Sequence, residues 1–292
     1  MQQKKAKIII SIVLVFFTIS ALASQKSEKI DTAPNKIIAL APNLVEIVFA
    51  LGAGDQLVGV SEHSDFPEVA KTRPTVSNYL TVNAEAIVKL NPDLIIVWQG
   101  GTPSKGIEKL QSLGFEVLTF NATDFKTMIS EITRLATRLG KTQEALVMTR
   151  ELMIKYKKVE RDYSSKRQLN GFIEIWPEPL TTATKGTIID QAIELCGVKN
   201  VFDSRLAKNN TYPQVSLEMV ISKPVDIIIQ PVSKTQPAAI KDWRSFKHLN
   251  AVKFNSIISP DSDVLLRWTP RWVNALAELC KDIDETRLTQ NP

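Results

Sequence analysis

Two histidines and two cysteines are all this 292-residue chain has of the side chains most used to hold transition metals. His63 and His248 cannot build a His-rich zinc site, and neither sits in an HExxH spacing. The chain also lacks a GxSxG elbow, a GxGxxG turn and a P-loop, so the catalytic classes built on them are excluded. No catalytic residue, metal or cofactor is therefore expected. Charge of one sign is scarce as well. The formal net charge is +5, and Lys4, Lys5 and Lys7 supply three of those charges; residues 1–23 hold no acid, which leaves 5 − 3 = +2 for the rest. That balance is no nucleic-acid footprint.

Long apolar runs are missing except at the start. Lys4, Lys5 and Lys7 form a basic n-region, residues 8–19 an apolar stretch, and Ala21-Leu22-Ala23 a small-x-small cleavage site. This reads as a cleavable signal peptide over 1–23 that exports the mature chain, with an uncleaved anchor as the alternative. No cysteine follows the apolar stretch, so a lipoprotein anchor is excluded there. In an exported chain the pair Cys196 and Cys280 reads as a disulfide closing a loop of about 85 residues, worth ~4–5 kcal/mol in the chain-entropy account. Two buried thiols are the alternative.

What is present is a long internal repeat. YLTVNAEAIVKLNPDLIIV from Tyr79 returns as YPQVSLEMVISKPVDIIIQ from Tyr212, at a constant offset of 212 − 79 = 133. Tyr79, Val82, Glu85 and Asp93 recur as Tyr212, Val215, Glu218 and Asp226. Each copy runs from an aromatic loop through a capped helix into an apolar strand. A period this long implies two similar lobes rather than a solenoid, and two lobes place a site between them.

The patterning supports that division. In the first half, strands are expected at 37–40, 57–60, 94–98 and 116–120. Helices are expected at 44–51, with Asn43 as its cap and Glu46 completing a capping box, at 84–90 behind Asn83, and at 104–113. Neither Gly nor Pro occurs between Gly140 and Gly171. Ala145, Leu152, Tyr156, Val159 and Tyr163 share one face of a helix over 142–164, about 34 Å long at 1.5 Å per residue. Alternation then restarts at 172–175, 188–195, 217–222 and 225–230 and ends in a helix over 270–284. The fold class is α/β: two Rossmann-like lobes with parallel sheets, 36–140 and 170–284, joined by one long backbone helix. Such a rigid connector implies a smaller hinge motion than flexible linkers would give.

Ligands of open parallel sheets meet the loops at the C-terminal strand ends. Those loops carry His63, Phe66, Tyr79, Trp98 with Gly100-Gly101, Trp176 and Tyr212, and the stretch Asp263-Val264-Leu265-Leu266-Arg267-Trp268 belongs with them. Flat rings at both lobe mouths suit a large ligand with extended apolar faces. Glu85 and Glu218 fall in the first turns of the repeated helices, where the helix dipole alone favours a carboxylate by ~0.3–1 kcal/mol. Repetition also gives each lobe one exposed acid, a natural clamp for arginines on a two-fold symmetric membrane partner.

The strings GVSEHSDFP, VSNYLTVNAEAIVKLNPDLIIVWQGG, CGVKNVF, YPQVSLE, DVLLRWTPR and LAELC resemble those of the periplasmic binding proteins that deliver iron–siderophore complexes and cobalamin to ABC importers. The likeness runs over about 36–284 and is nearest to the cobalamin-binding members. It implies a class III fold, cobalamin held between the lobes, and contacts from His63, Tyr79, Trp98, Tyr212 and Asp263, Val264, Leu265, Leu266 and Arg267. It also implies docking of Glu85 and Glu218 on permease arginines and a Cys196–Cys280 bridge. The chain departs from those members in having His63 for a tyrosine and Tyr79 and Tyr212 for tryptophans. Leu265 and Leu266 replace an aromatic and an acid. A haem or ferric-siderophore ligand is the alternative, with His63 as the axial group for haem.

Overall fold

A computed structural model describes residues 33–202, 210–234, 237 and 239–290; the expected signal peptide lies outside them. The first lobe is a parallel sheet of β1 (Ile37–Ala39), β2 (Leu57–Ser61), β3 (Thr75–Ser77), β4 (Leu94–Trp98) and β5 (Val117–Phe120) in the order β3-β2-β1-β4-β5. Near-continuous runs of Ile, Leu and Val make β1 and β4 strands buried on both faces. Helices α1 (Pro42–Ala50), α2 (Ala84–Leu90), α3 (Ser104–Ser112) and α4 (Phe125–Arg138) connect and cover it.

The second lobe is built on β6 (Leu169–Pro177). β8 (Val198–Asn200) and β9 (Ile227–Ile229) pair with it in parallel, and β10 (Ile257–Ile258) extends the sheet beyond β9. One departure from the all-parallel expectation is β7 (Leu180–Thr182), which is antiparallel to β6. Only Glu178 and Pro179 separate the two strands, and so short a link can only fold the chain back on itself. Helices α6 (Ile188–Leu195), α7 (Leu217–Ile221), α8 (Asn250–Lys253), α9 (Ser262–Leu265) and α10 (Trp272–Thr289) complete the lobe.

The repeated aspartates explain part of the internal repeat. Asp93, just before β4, accepts backbone N–H bonds from Asn35 (2.8 Å) and Lys36 (2.9 Å) at the entry of β1. Asp226, just before β9, accepts one from Asn170 in β6 (2.9 Å). Each acid staples the start of its lobe's central strand. Asn83 and Ser216 cap α2 and α7 as expected, accepting from the backbone N–H groups of Ala86 and Met219.

The long helix α5 (Thr142–Tyr163) joins the lobes. Its buried stripe is Ala145, Leu152 and Val159, with Tyr156 and Tyr163 half-buried beside it. The same core runs without a break from Ile37 and Leu44, through this stripe, to Ile189, Leu276 and Cys280. Tyr156 lies flat on Phe125 at 4.0 Å between ring centres, and Phe125 faces Trp272 at 6.2 Å. The Cys196–Cys280 bridge is formed, fully buried, between the end of α6 and α10.

Three local expectations are corrected. Helix α1 starts at Pro42, behind Ala41, with no side-chain cap; Asn43 lies inside it and Glu46 closes no capping box. Proline takes the first helical position because its missing N–H needs no partner there. The last helix runs to Thr289 rather than 284, and its buried Arg287 donates to the carbonyls of Arg167 and Cys196. Helix α4 was not anticipated. Asp124 caps it in a reciprocal box with Thr127, and Phe125, Met128, Ile132 and Leu135 form its buried face.

Candidate functional site

The C-terminal ends of β1, β2, β3 and β4 face those of β6 and β9 and the segment after β10 across one cavity of about 600 Å³. His63, Tyr79, Trp98, Asp263, Leu266 and Arg267 line it, so most of the expected contact residues are brought together. Three are not. Tyr212 and Val264 lie outside the lining, Tyr212 39% exposed and Val264 half-buried. Leu265 is fully buried in the core, since α9 turns that side chain inward. Its side chain does not reach the cavity.

Local structure fixes the aromatic wall. At the end of β4 the Trp98 backbone N–H donates to the hydroxyl of Thr102 (3.1 Å), which donates to the carbonyl of Leu40 beyond β1 (3.3 Å). A Cβ on Gly101 would stand 2.1 Å from the Trp98 ring, so only glycine lets the loop close on the indole. Gly101→Ala is therefore expected to displace Trp98, changing tryptophan emission while leaving far-UV dichroism intact. Emission identical to wild type would show the ring is not held this way. His63 sits at the end of β2 with φ of 61°, a left-handed conformation unusual for a residue bearing a Cβ. Tyr79 is 76% exposed at the rim of the first lobe, and Trp176 half-exposed at the end of β6.

The wall is acidic, which the sequence reading missed. Among the described residues, Glu62, Asp65, Glu174 and Asp263 line the cavity against one arginine, Arg267, a formal balance of 1 − 4 = −3 for these five. Glu174 is buried and fully used. It accepts from Trp243 Nε1 (2.6 Å), the backbone N–H of Lys241 (2.8 Å) and Gln230 Nε2 (3.0 Å), tying β6 to the segment that follows β9. Its signal was legible: one acid within the apolar strand FIEIW.

Beneath the cavity an ionic cluster crosses between the halves of the chain. Glu46 of α1 accepts two bonds from Arg271, at 2.8 Å from Nε and 2.7 Å from Nη2. The guanidinium of Arg271 lies 3.7 Å over the ring of Phe66. Arg267 stands 3.6 Å from Glu46, 3.8 Å from Asp65 and 3.6 Å from Asp263. Asp263 is held in turn by the hydroxyl of Ser233 (2.7 Å).

Glu85 and Glu218 are exposed in the first turns of α2 and α7, each six positions after a tyrosine of the repeat (85 − 79 and 218 − 212). Bonds from its own backbone N–H and from the Ser216 hydroxyl lower the Glu218 carboxyl below the ordinary glutamate range. Among the described residues no group of three or more His, Cys, Asp or Glu is placed to hold a metal ion, and no helix is long and apolar enough to cross a membrane.

Residues 37–264 match the profile of the periplasmic binding protein family. The vitamin B12-binding protein of Vibrio vulnificus (strain CMCP6) is 33% identical over 266 residues, covering 90% of this chain and 96% of that one. Its counterpart in Vibrio parahaemolyticus is 31% identical over 280 residues, covering 94% and 95%. Among solved structures, the periplasmic vitamin B12 binding protein BtuF of Vibrio cholerae superposes with a TM-score of 0.79 at 30% identity, over 87% of this chain and 98% of that one. The periplasmic haem-binding protein BhuT superposes at 0.76 with 19% identity, over 87% and 99%, a likeness of fold.

Proposed function

The chain belongs to the periplasmic binding protein family, and we propose that it captures cobalamin between its lobes and delivers it to an ABC importer. The observation that carries the ligand class is the composition of the cavity wall among the described residues: Tyr79, Trp98 and Trp176 with four acids and one arginine. A corrinoid presents flat apolar faces for the rings and a rim of primary amides whose N–H groups donate to carboxylates such as Glu62 and Asp65. The carboxylates of haem and the anionic groups of ferric siderophores would instead meet like charge, where an anion site needs clustered Lys or Arg. The relatives named for vitamin B12 agree with this choice.

His63, Tyr79, Trp98, Asp263, Leu266 and Arg267 form the contact set in this reading. Tyr212 and Val264 stand at its margin, and Glu85 and Glu218 dock on permease arginines. The protein acts by binding and release, without catalysis or a resident cofactor. Calorimetry with cobalamin, haem and a ferric siderophore tests the ligand. Uptake of cobalamin alone, little changed by added salt because ring packing and amide bonds are weakly screened, is expected. Tight haem binding that disappears in His63→Ala, with no cobalamin uptake, would give the site to haem.

The proposed route is export to the periplasm with cleavage after Ala23. The mature protein would then comprise a lobe over 36–140, the linking helix over 142–164 and a lobe over 170–284. Mass spectrometry of the periplasmic protein is expected to find Ser24 at its N-terminus. A chain that retains Lys4 and Lys5 would contradict this route.

A further inference from the structure

Glu46 does not line the cavity, yet the two halves of the chain are fastened at its carboxylate. Its side chain is 3% exposed, so its charge is desolvated and must be matched by a partner at close range. Arg271, 225 positions along the chain, supplies that match with two parallel bonds. The face of the same guanidinium rests on Phe66, from the loop after β2. Arg271, just before α10, is thus gripped on its edge and on its face by two residues of the first lobe.

The neighbouring Arg267 is held differently. It lines the cavity, and its Nη1 is buried without a hydrogen-bond partner. Three carboxylates stand around it at 3.6–3.8 Å, all beyond hydrogen-bond length, so a balance of charge centres it rather than a lock. Glu46 is the one acid of the three that does not line the cavity. Its pull draws Arg267 back from the ligand space, against Asp65 and Asp263.

We propose that Glu46 is a positioning residue for the cavity: by pairing with Arg271 and sharing its charge with Arg267, it sets the separation of the lobes beneath the ligand and the placement of Arg267 at the wall. Without that charge, the half-buried Arg271 loses its carboxylate and keeps only the Phe66 face, and the entry of α10 moves off α1. Arg267 then swings towards Asp65 and Asp263, into the space a ligand fills. The proposal rests on the reading of this cavity as the ligand site.

A double-mutant cycle read on cobalamin dissociation tests it. Glu46→Gln keeps the volume and removes the charge, and is expected to speed dissociation about tenfold or more. In an Arg267→Ala background the same change should speed dissociation by a clearly smaller factor, since only the lobe-separation part of its effect remains. An equal factor in both backgrounds overturns the proposal. Should wild type take up no cobalamin, the ligand reading fails, and the ligand-free protein decides this one. Spin labels at Lys89→Cys and Ser222→Cys, one per lobe, should report a broader and longer inter-lobe distance in Glu46→Gln. An unchanged distribution overturns it. Arg271→Lys keeps the charge but loses the fork, and the same comparisons apply to it if Glu46→Gln fails to fold.

Discussion

Changing Glu85 and Glu218 together to alanine is expected to leave cobalamin affinity near that of wild type while binding to the importer falls by roughly two to four decades. Charge-assisted bonds are worth ~1.5–3 kcal/mol each, so two partly desolvated pairs with permease arginines contribute ~3–6 kcal/mol. That exceeds the ~0.3–1 kcal/mol each carboxylate supplies to its own helix through the dipole. Both side chains are exposed and outside the cavity lining, which is why capture should survive. Lysine at both positions should be worse, because it sets like charges against each other. The pH dependence follows from Glu218. Its carboxyl is lowered in the folded protein, so the stability it gives is complete above the ordinary glutamate range and fades only as pH falls through the lowered folded value. Docking through this lobe should therefore tolerate mild acid. Flotation of reconstituted importer with each variant measures the effect. A double mutant that docks like wild type but melts lower would reduce both residues to helix starters.

Removing the disulfide should have the largest effect on stability. Cys196 and Cys280 are 84 positions apart, and a cross-link of that span restricts the unfolded chain by ~4–5 kcal/mol. Both sulfurs are buried in the core that α5 shares with the two lobes, between α6 and α10. A Cys196→Ala, Cys280→Ala double variant is therefore expected to lose about that much in urea unfolding. The denaturation midpoint should fall, with a slope at least as steep, because the uncrosslinked chain exposes more surface. Thiol titration of the unreduced, denatured wild type should find no free sulfhydryl. Two reactive thiols, or a variant as stable as wild type, would contradict this.

The parts of the fold that sequence made legible are those governed by local rules. Apolar runs bounded by turn residues mark β1, β2, β4 and β5 within a residue or so, and the stretch without Gly or Pro marks α5 at Thr142–Tyr163. The 133-residue repeat announces two lobes, and Asp93 and Asp226 give it a cause in the strand starts they staple. What sequence did not yield is set by contacts distant along the chain. Glu46 has capping-box spacing to Asn43, but Pro42 takes the helix start and Arg271 takes the acid. Leu265 sits in a stretch of contact residues, yet a one-turn helix aims it into the core. The acidity of the wall emerges only when Glu62 and Asp65, Glu174 and Asp263 are assembled from three separate segments. Helix α4 was overlooked although its apolar residues fall at helical spacing, because the Thr and Ser among them lower its propensity.

The wall's character bears on ligand choice more than any single ring does. Trp98→Ala should weaken cobalamin by ~1–3 kcal/mol, the worth of a buried aromatic face, and such a loss would suit any flat ligand. Charge discriminates further, since among the described residues four acids against one arginine favour an amide rim over carboxylates. The most direct test is competition. The purified mature protein is incubated with equal amounts of cobalamin and haem, separated from free ligand on a sizing column, and its visible spectrum recorded. Cobalamin is expected to co-elute at one equivalent with haem left behind; a protein that elutes with haem and no corrinoid would contradict the assignment.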